Sequence, residues 1–138
     1  MRIVSLDTNI IIRVILQDDE RQTSEVGRLF AEAARGEVRL QVSMAVLVEC
    51  IWVLTSLSNL PRDRHAPLLA AVLSLPGVLA EDHGLALRLL KIQRETGLDP
   101  VDCYLIARAN LDNNLTLATF DRKLRQQVTG DLWPARDA

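Results

Sequence analysis

Residues 1–15 read MRIVSLDTNIIIRVI, and the change of character inside this stretch decides the fold. Arg2 to Leu6 reads as a strand and Asn9 to Leu16 as a short helix. Between two apolar runs, Ile3 to Leu6 and Ile10 to Ile12, stand a carboxylate, a hydroxyl and an amide: Asp7, Thr8 and Asn9. A strand passing straight into a helix is the first step of a β–α unit, and the chain repeats that step.

Asp19 to Arg35 is an amphipathic helix with Val26, Leu29, Phe30 and Ala33 on one face and Gly36 just past its end. Val38 to Val42 is a second strand, and Ser43 caps a helix over Met44 to Leu57. Pro61 to Leu75 is helical but interrupted by Pro67. Val78 to Ala80 is a strand, and Asp82 caps a helix that runs to Thr96 and closes at Gly97. Pro100 to Leu111 is a helix, Leu115 to Ala118 a strand, Arg122 to Val128 a last short helix, with a final strand near Leu132 and Trp133. Alternation of this kind implies a parallel sheet covered on both faces. Ligands of such sheets bind beyond the carboxyl ends of the strands. Asp7 and Asp121 both fall there.

Composition narrows the class. A chain of 138 residues favours one domain, and 49% hydrophobic with 25% charged residues supports a core and argues against disorder. No apolar run approaches the roughly 20 residues a membrane span needs, and the apolar start carries Asp7 and lacks a signal-peptide cleavage site. A cytoplasmic protein without membrane contact is expected. Cys50 and Cys103 lie inside apolar segments and read as small buried hydrophobes, while His65 and His83 stand alone and read as surface residues. No CxxC pair suggests zinc. The net charge of −2 gives no overall basic field, although Arg122, Lys123 and Arg125 cluster late in the chain.

The acids carry the chemistry. Asp7, Asp99 and Asp121 each suit a helix cap, and Asp102 sits in the acid-favouring first turn after Asp99 and Pro100. Glu49 resists that reading: Ala45, Val46, Trp52 and Val53, its neighbours along the helix, are all apolar, so a carboxylate there suggests burial beside a cation. If Asp7, Glu49, Asp102 and Asp121 converge, two carboxylates about 5 Å apart repel by roughly 3 kcal/mol at an effective dielectric near 20. Hard oxygen donors select Mg²⁺ or Mn²⁺ as the neutraliser. Two such ions can serve phosphodiester hydrolysis. Thr8, Asn9 and Thr119 would add neutral hydrogen bonds.

With LDTN at the first strand end, Glu49-Cys50-Ile51-Trp52-Val53-Leu54 in a helix, Asp99-Pro100-Val101-Asp102 at a helix start and Thr119-Phe120-Asp121 after a late strand, the sequence resembles a PIN-domain ribonuclease. More narrowly, it looks like a VapC-type toxin of a toxin–antitoxin pair. The match spans essentially the whole chain. It implies a three-layer α/β/α sandwich with a central, mainly parallel sheet. It also implies Asp7, Glu49, Asp102 and Asp121 as catalytic, metal-holding acids, with Thr8, Asn9, Asp99 and Thr119 in support. Mg²⁺- or Mn²⁺-dependent RNA cleavage, a homodimer and a cognate VapB-type antitoxin follow from the same resemblance. Arg13, Arg122 and Lys123 are the expected RNA contacts. The acidic balance leaves the RNA-holding surface undefined.

Two other classes fit less well. A haloacid-dehalogenase-like phosphatase would want an acid where Asn9 stands, and a receiver domain would want a phosphoacceptor Asp after a central strand; both leave Glu49 unexplained. A non-catalytic PIN-like binding module would be expected to have lost one of the acids. A processing nuclease that is not a toxin shares the same chemistry.

Overall fold

The computed structural model describes residues 1–137. The first half runs β1 (Arg2–Ser5), α1 (Thr8–Leu16), α2 (Glu20–Ala34), β2 (Val38–Val42) and α3 (Met44–Leu57). A 3-10 turn (Arg62–Arg64) leads into α4 (His65–Leu73), β3 (Val78–Ala80), α5 (His83–Thr96) and α6 (Pro100–Leu111). The chain then forms β4 (Leu117–Ala118), α7 (Arg122–Gln127) and β5 (Leu132–Trp133).

Every described strand pairing is parallel. β2 is central between β1 and β3, with Arg2 opposite Val38 and Leu40 opposite Val78. β4 and β5 form a separate pair, with Leu117 opposite Leu132. Strands and helices together make the expected α/β/α architecture. The strand expected from Leu115 starts only at Leu117, because Leu115 N–H turns back to the Asp112 carbonyl.

The two faces of the sheet are not equally dry. Val38, Leu40 and Val42 are buried, whereas Arg39 and Gln41 on the other face of β2 are exposed together with Ile3 and Leu79. The VRLQV alternation is that of a strand with one wet side. The core lies on the apolar face, where Leu40, Leu47, Leu54, Leu89 and Ile106 are essentially inaccessible.

Caps set most helix boundaries. Ser43 Oγ accepts from Val46 N–H and Asp82 Oδ1 from Leu85 N–H, each satisfying a backbone donor that the helix leaves free. Gly97 closes α5 at φ +66°, and a Cβ there would also collide with the Arg62 side chain. Pro67 does not break a helix. It is the third residue of α4, inside the first turn, where no intrahelical N–H bond is lost. That shift of the helix start corrects the reading of His65 as a surface residue. His65 is 2% exposed; its Nε2–H donates to the Leu60 carbonyl at 3.0 Å, and Nδ1 faces the Thr55 hydroxyl at 3.4 Å. His83 is exposed as expected.

Candidate active site

β1, β2 and β3 run the same way, so the residues that follow them share one edge: Asp7 after β1, Ser43 after β2 and Glu81 after β3. Asp7 caps α1, with Oδ1 accepting the Thr8 N–H at 2.7 Å. Thr8 is buried, close to the Cys50 thiol. Cys50, in α3, is pushed up to about 12 by burial first, then by the negative charges of Glu49 and Asp7. Asp7 and Glu49 therefore act on one point from two elements. α1 and α3 pack directly on each other.

Glu49 itself is exposed, which corrects the expectation of a buried carboxylate. Its neighbours Ala45 and Trp52 are exposed too, Trp52 at 52%. The buried side of α3 carries Leu47, Cys50, Ile51 and Leu54 instead. α3 is apolar nearly all round, so its sequence pattern does not say which stripe faces inward.

A second group gathers where α6 and α7 begin. Asp99 caps α6, its Oδ1 accepting the Val101 N–H at 3.0 Å. Asp121 caps α7 by accepting from Lys123 N–H at 2.8 Å and Leu124 N–H at 3.2 Å. Thr119 Oγ1 accepts the Asp121 N–H at 3.0 Å, which fixes the turn that presents the carboxylate. Asp102 lies between them, half-buried. Burial pushes its carboxyl above the usual carboxylate range, and the charges of Asp99 and then Asp121 push it further. Cys103, next along α6, is buried and pushed up to about 11, first by burial, so both cysteines sit as inert core residues.

The acids thus form two groups, Asp7 with Glu49 and Asp102 with Asp99 and Asp121. Among the described residues, none of the four pairs with an Arg or Lys; the ion pairs there are Arg13–Asp18, Arg21–Glu25 and Arg35–Glu37. Also among the described residues, no group of three His, Cys, Asp or Glu side chains is placed to hold a metal ion. By type these are hard oxygen donors of the kind a divalent ion takes: carboxylates without cationic partners, one held above its usual range first by burial and then by its neighbours.

The other expected residues spread out. Asn9 and Arg13 line a recess with Ile10 and Val26 on α1 and α2, and Arg13 is engaged by Asp18. Arg122 and Lys123 are exposed at the start of α7, directly after Asp121. Glu81 was not anticipated: it follows β3 at the same edge, and its Oε2 accepts the Met44 N–H at 3.3 Å. Its position directly after a short apolar strand was the available signal.

A family model described as PIN domain matches residues 4–128. No curated protein matches the sequence. Among solved structures, VapBC2 from Rickettsia felis bound to a DNA fragment from their promoter aligns over 94% of this chain and 96% of that one. The identity is 17% and the TM-score 0.39, a likeness too loose to argue from.

Proposed function

The chain belongs to the PIN-domain family, and from that premise we propose that it is a Mg²⁺- or Mn²⁺-dependent endoribonuclease acting as the VapC-type toxin of a toxin–antitoxin pair. One observation carries the reading: the Asp102 carboxyl is raised first by burial and then by the charges of Asp99 and Asp121, so carboxylates from α6 and α7 lie near one another without an ion-pair partner among the described residues. A purely structural set of caps has no need of that crowding.

Asp7, Glu49, Asp102 and Asp121 would hold the ion. When bound, it would activate water and neutralise the charge that develops on the departing oxygen. The chain's own part is positional. The Asp121 cap uses Oδ1 twice and leaves Oδ2 free to face the ion, with Thr119 holding the turn rigid. Asp7 likewise keeps Oδ2 free beyond its cap bond. Asp102 must give up its proton to serve, so activity should fall as pH drops through its raised range. In-line attack by water leaves a 5′-phosphate and a 3′-hydroxyl.

A VapB-type antitoxin and a second copy of this chain are the partners this reading calls for. The exposed apolar residues Trp52 and Leu57 on α3 offer one of them a surface. A cytoplasmic location accords with the reading, and among the described residues no helix is long and apolar enough to cross a membrane.

Incubating the protein with RNA and Mg²⁺, with and without excess EDTA, tests the proposal. Cleavage should need the ion and give 5′-phosphate ends. Undiminished cutting in EDTA, or 2′,3′-cyclic phosphate ends, would overturn it.

A further inference from the structure

Beside Asp121 the surface changes sign. A groove of about 410 Å³ is lined by Phe120, Arg122, Arg125, Leu132 and Arg136, with Asp137 the acid in its wall among the described residues. Phe120 is 81% exposed and Trp133 58%, and their rings meet edge to face with centroids 5.9 Å apart at 62°. The chain has 2 Phe and 2 Trp, so half of its largest apolar side chains stand in water here. Burial of either would have stabilised the fold.

The groove is braced from behind. Arg125 donates to the Thr119 carbonyl at 3.0 Å and to the Pro134 carbonyl at 2.7 Å, tying together the segments that carry Phe120 and Trp133. Thr119 N–H donates to the Trp133 carbonyl at 2.9 Å. Arg136 bonds the carbonyls of Val128 and Gly130. Arg122 is exposed and, among the described residues, makes no ion pair or side-chain hydrogen bond, so its guanidinium is free for a phosphate.

We propose that Phe120 and Trp133, flanked by Arg122 and Arg136, form a subsite for an unpaired stretch of RNA. Bases stack on the aromatic pair, phosphates meet the guanidiniums, and the strand continues to Asp121, the residue after Phe120. The inference rests on the nuclease reading and adds the residues that hold the strand beside Asp121. Aromatic faces bind bases only when those faces are free, as in single strands, loops and bulges; a duplex keeps them covered by its own stacking. Three guanidiniums against one carboxylate complement a phosphate backbone, and continuity with Asp121 gives that backbone a destination.

The test uses the full chain in EDTA, with a 5′-fluorescein RNA of roughly 12 nucleotides, within the site sizes such surfaces occupy. The RNA is presented single-stranded or annealed to its complement, and wild-type cleavage with Mg²⁺ is measured in parallel. Phe120→Ala and Trp133→Ala should each weaken single-strand binding by roughly tenfold, as loss of one stacked base predicts, and change duplex binding little. Phe120→Tyr, which keeps the ring, should bind as wild type does. Arg122→Gln should lower the slope of log affinity against log salt by about 0.7, while Phe120→Ala should leave the slope unchanged. Equal losses for single strand and duplex would overturn the stacking subsite. So would unchanged affinity in both Ala variants beside normal wild-type cleavage, which leaves the nuclease reading standing. A wild type that neither binds nor cuts RNA would overturn both. If Phe120→Ala altered the sedimentation of the protein but not its RNA affinity, the face would be a protein interface and the proposal would fall.

Discussion

The helix-capping acids and the acids within the helices hold their carboxylates differently. Asp7, Asp99 and Asp121 each commit an oxygen to backbone N–H groups at the first turn of α1, α6 and α7. Asp102 and Glu49 lie one or more residues inside their helices, and among the described residues neither accepts a hydrogen bond. The capped acids have a folding role whatever else they do. The others cap no helix, although Asp102 lies in the first turn of α6, and Asp102 is held above its usual range by burial and by Asp99 and Asp121. Backbone donors account for the placement of the first group; among the described residues the second has no hydrogen-bond partner.

The sharpest break in that contrast comes from activity. Asp102→Asn and Glu49→Gln should each cut RNA cleavage by on the order of 10²–10³-fold, the scale for removing one electrostatic stabiliser, with melting temperatures in EDTA no lower than wild type. Gel assays of RNA cleavage beside thermal melts would show it. Comparable losses of cleavage and of folding would mean that these acids are structural after all.

Asp121 should separate its two roles. Asp121→Asn keeps a good cap and should melt at or above the wild-type temperature in EDTA while losing most cleavage. Asp121→Ala loses both, with about 1 kcal/mol of stability gone in denaturant unfolding. If Asn and Ala variants were equally destabilised, the bonds to Lys123 and Leu124 would not be the source of that stability.

Asp99→Asn should be milder: an equally good cap, and cleavage reduced by about tenfold or less, since it acts on Asp102 through charge. An inactive Asp99→Asn beside an active Asp102→Asn would exchange the two roles.

The smallest effect is in pH. The folded state raises the Asp102 pKa, so it favours the protonated form more than the unfolded chain does. The resulting stabilisation is present below the unfolded value near ~3.9 and is lost as pH rises through the folded value. Without metal, Asp102→Asn should match wild type in acid and exceed it at neutral pH, by no more than about 1 kcal/mol because the edge is open to solvent. Urea unfolding at the two pH values measures the difference, and a variant less stable at neutral pH would contradict it.

Features fixed by local chemistry were legible without the fold. Ser43, Asp82 and Asp99 announced α3, α5 and α6, and Gly97 announced the end of α5, because caps act over three or four residues. Features fixed by packing were not. His65 looked exposed because the sequence does not reveal that Pro67 falls in a first turn, with Thr55 and the Leu60 carbonyl waiting for the ring. Glu49 looked buried because α3 is apolar on both sides and only the assembled sheet selects one. The crowding around Asp102 was legible in part, from Asp99 and Asp102 at one helix start and Asp121 at another. The pairing of Phe120 with Trp133 was not, since it depends on β4 and β5 coming together.

The central claim is that acids from separate elements share a cation, and counting Mn²⁺ bound to the metal-free protein by electron paramagnetic resonance tests it most directly. Wild type should bind Mn²⁺ saturably and gain about 2.7 kcal/mol of stability at a hundredfold excess over the dissociation constant, while Asp102→Asn binds far more weakly and gains less. Equal Mn²⁺ binding by the two proteins, or RNA cleavage by a wild type that binds none, would contradict the account.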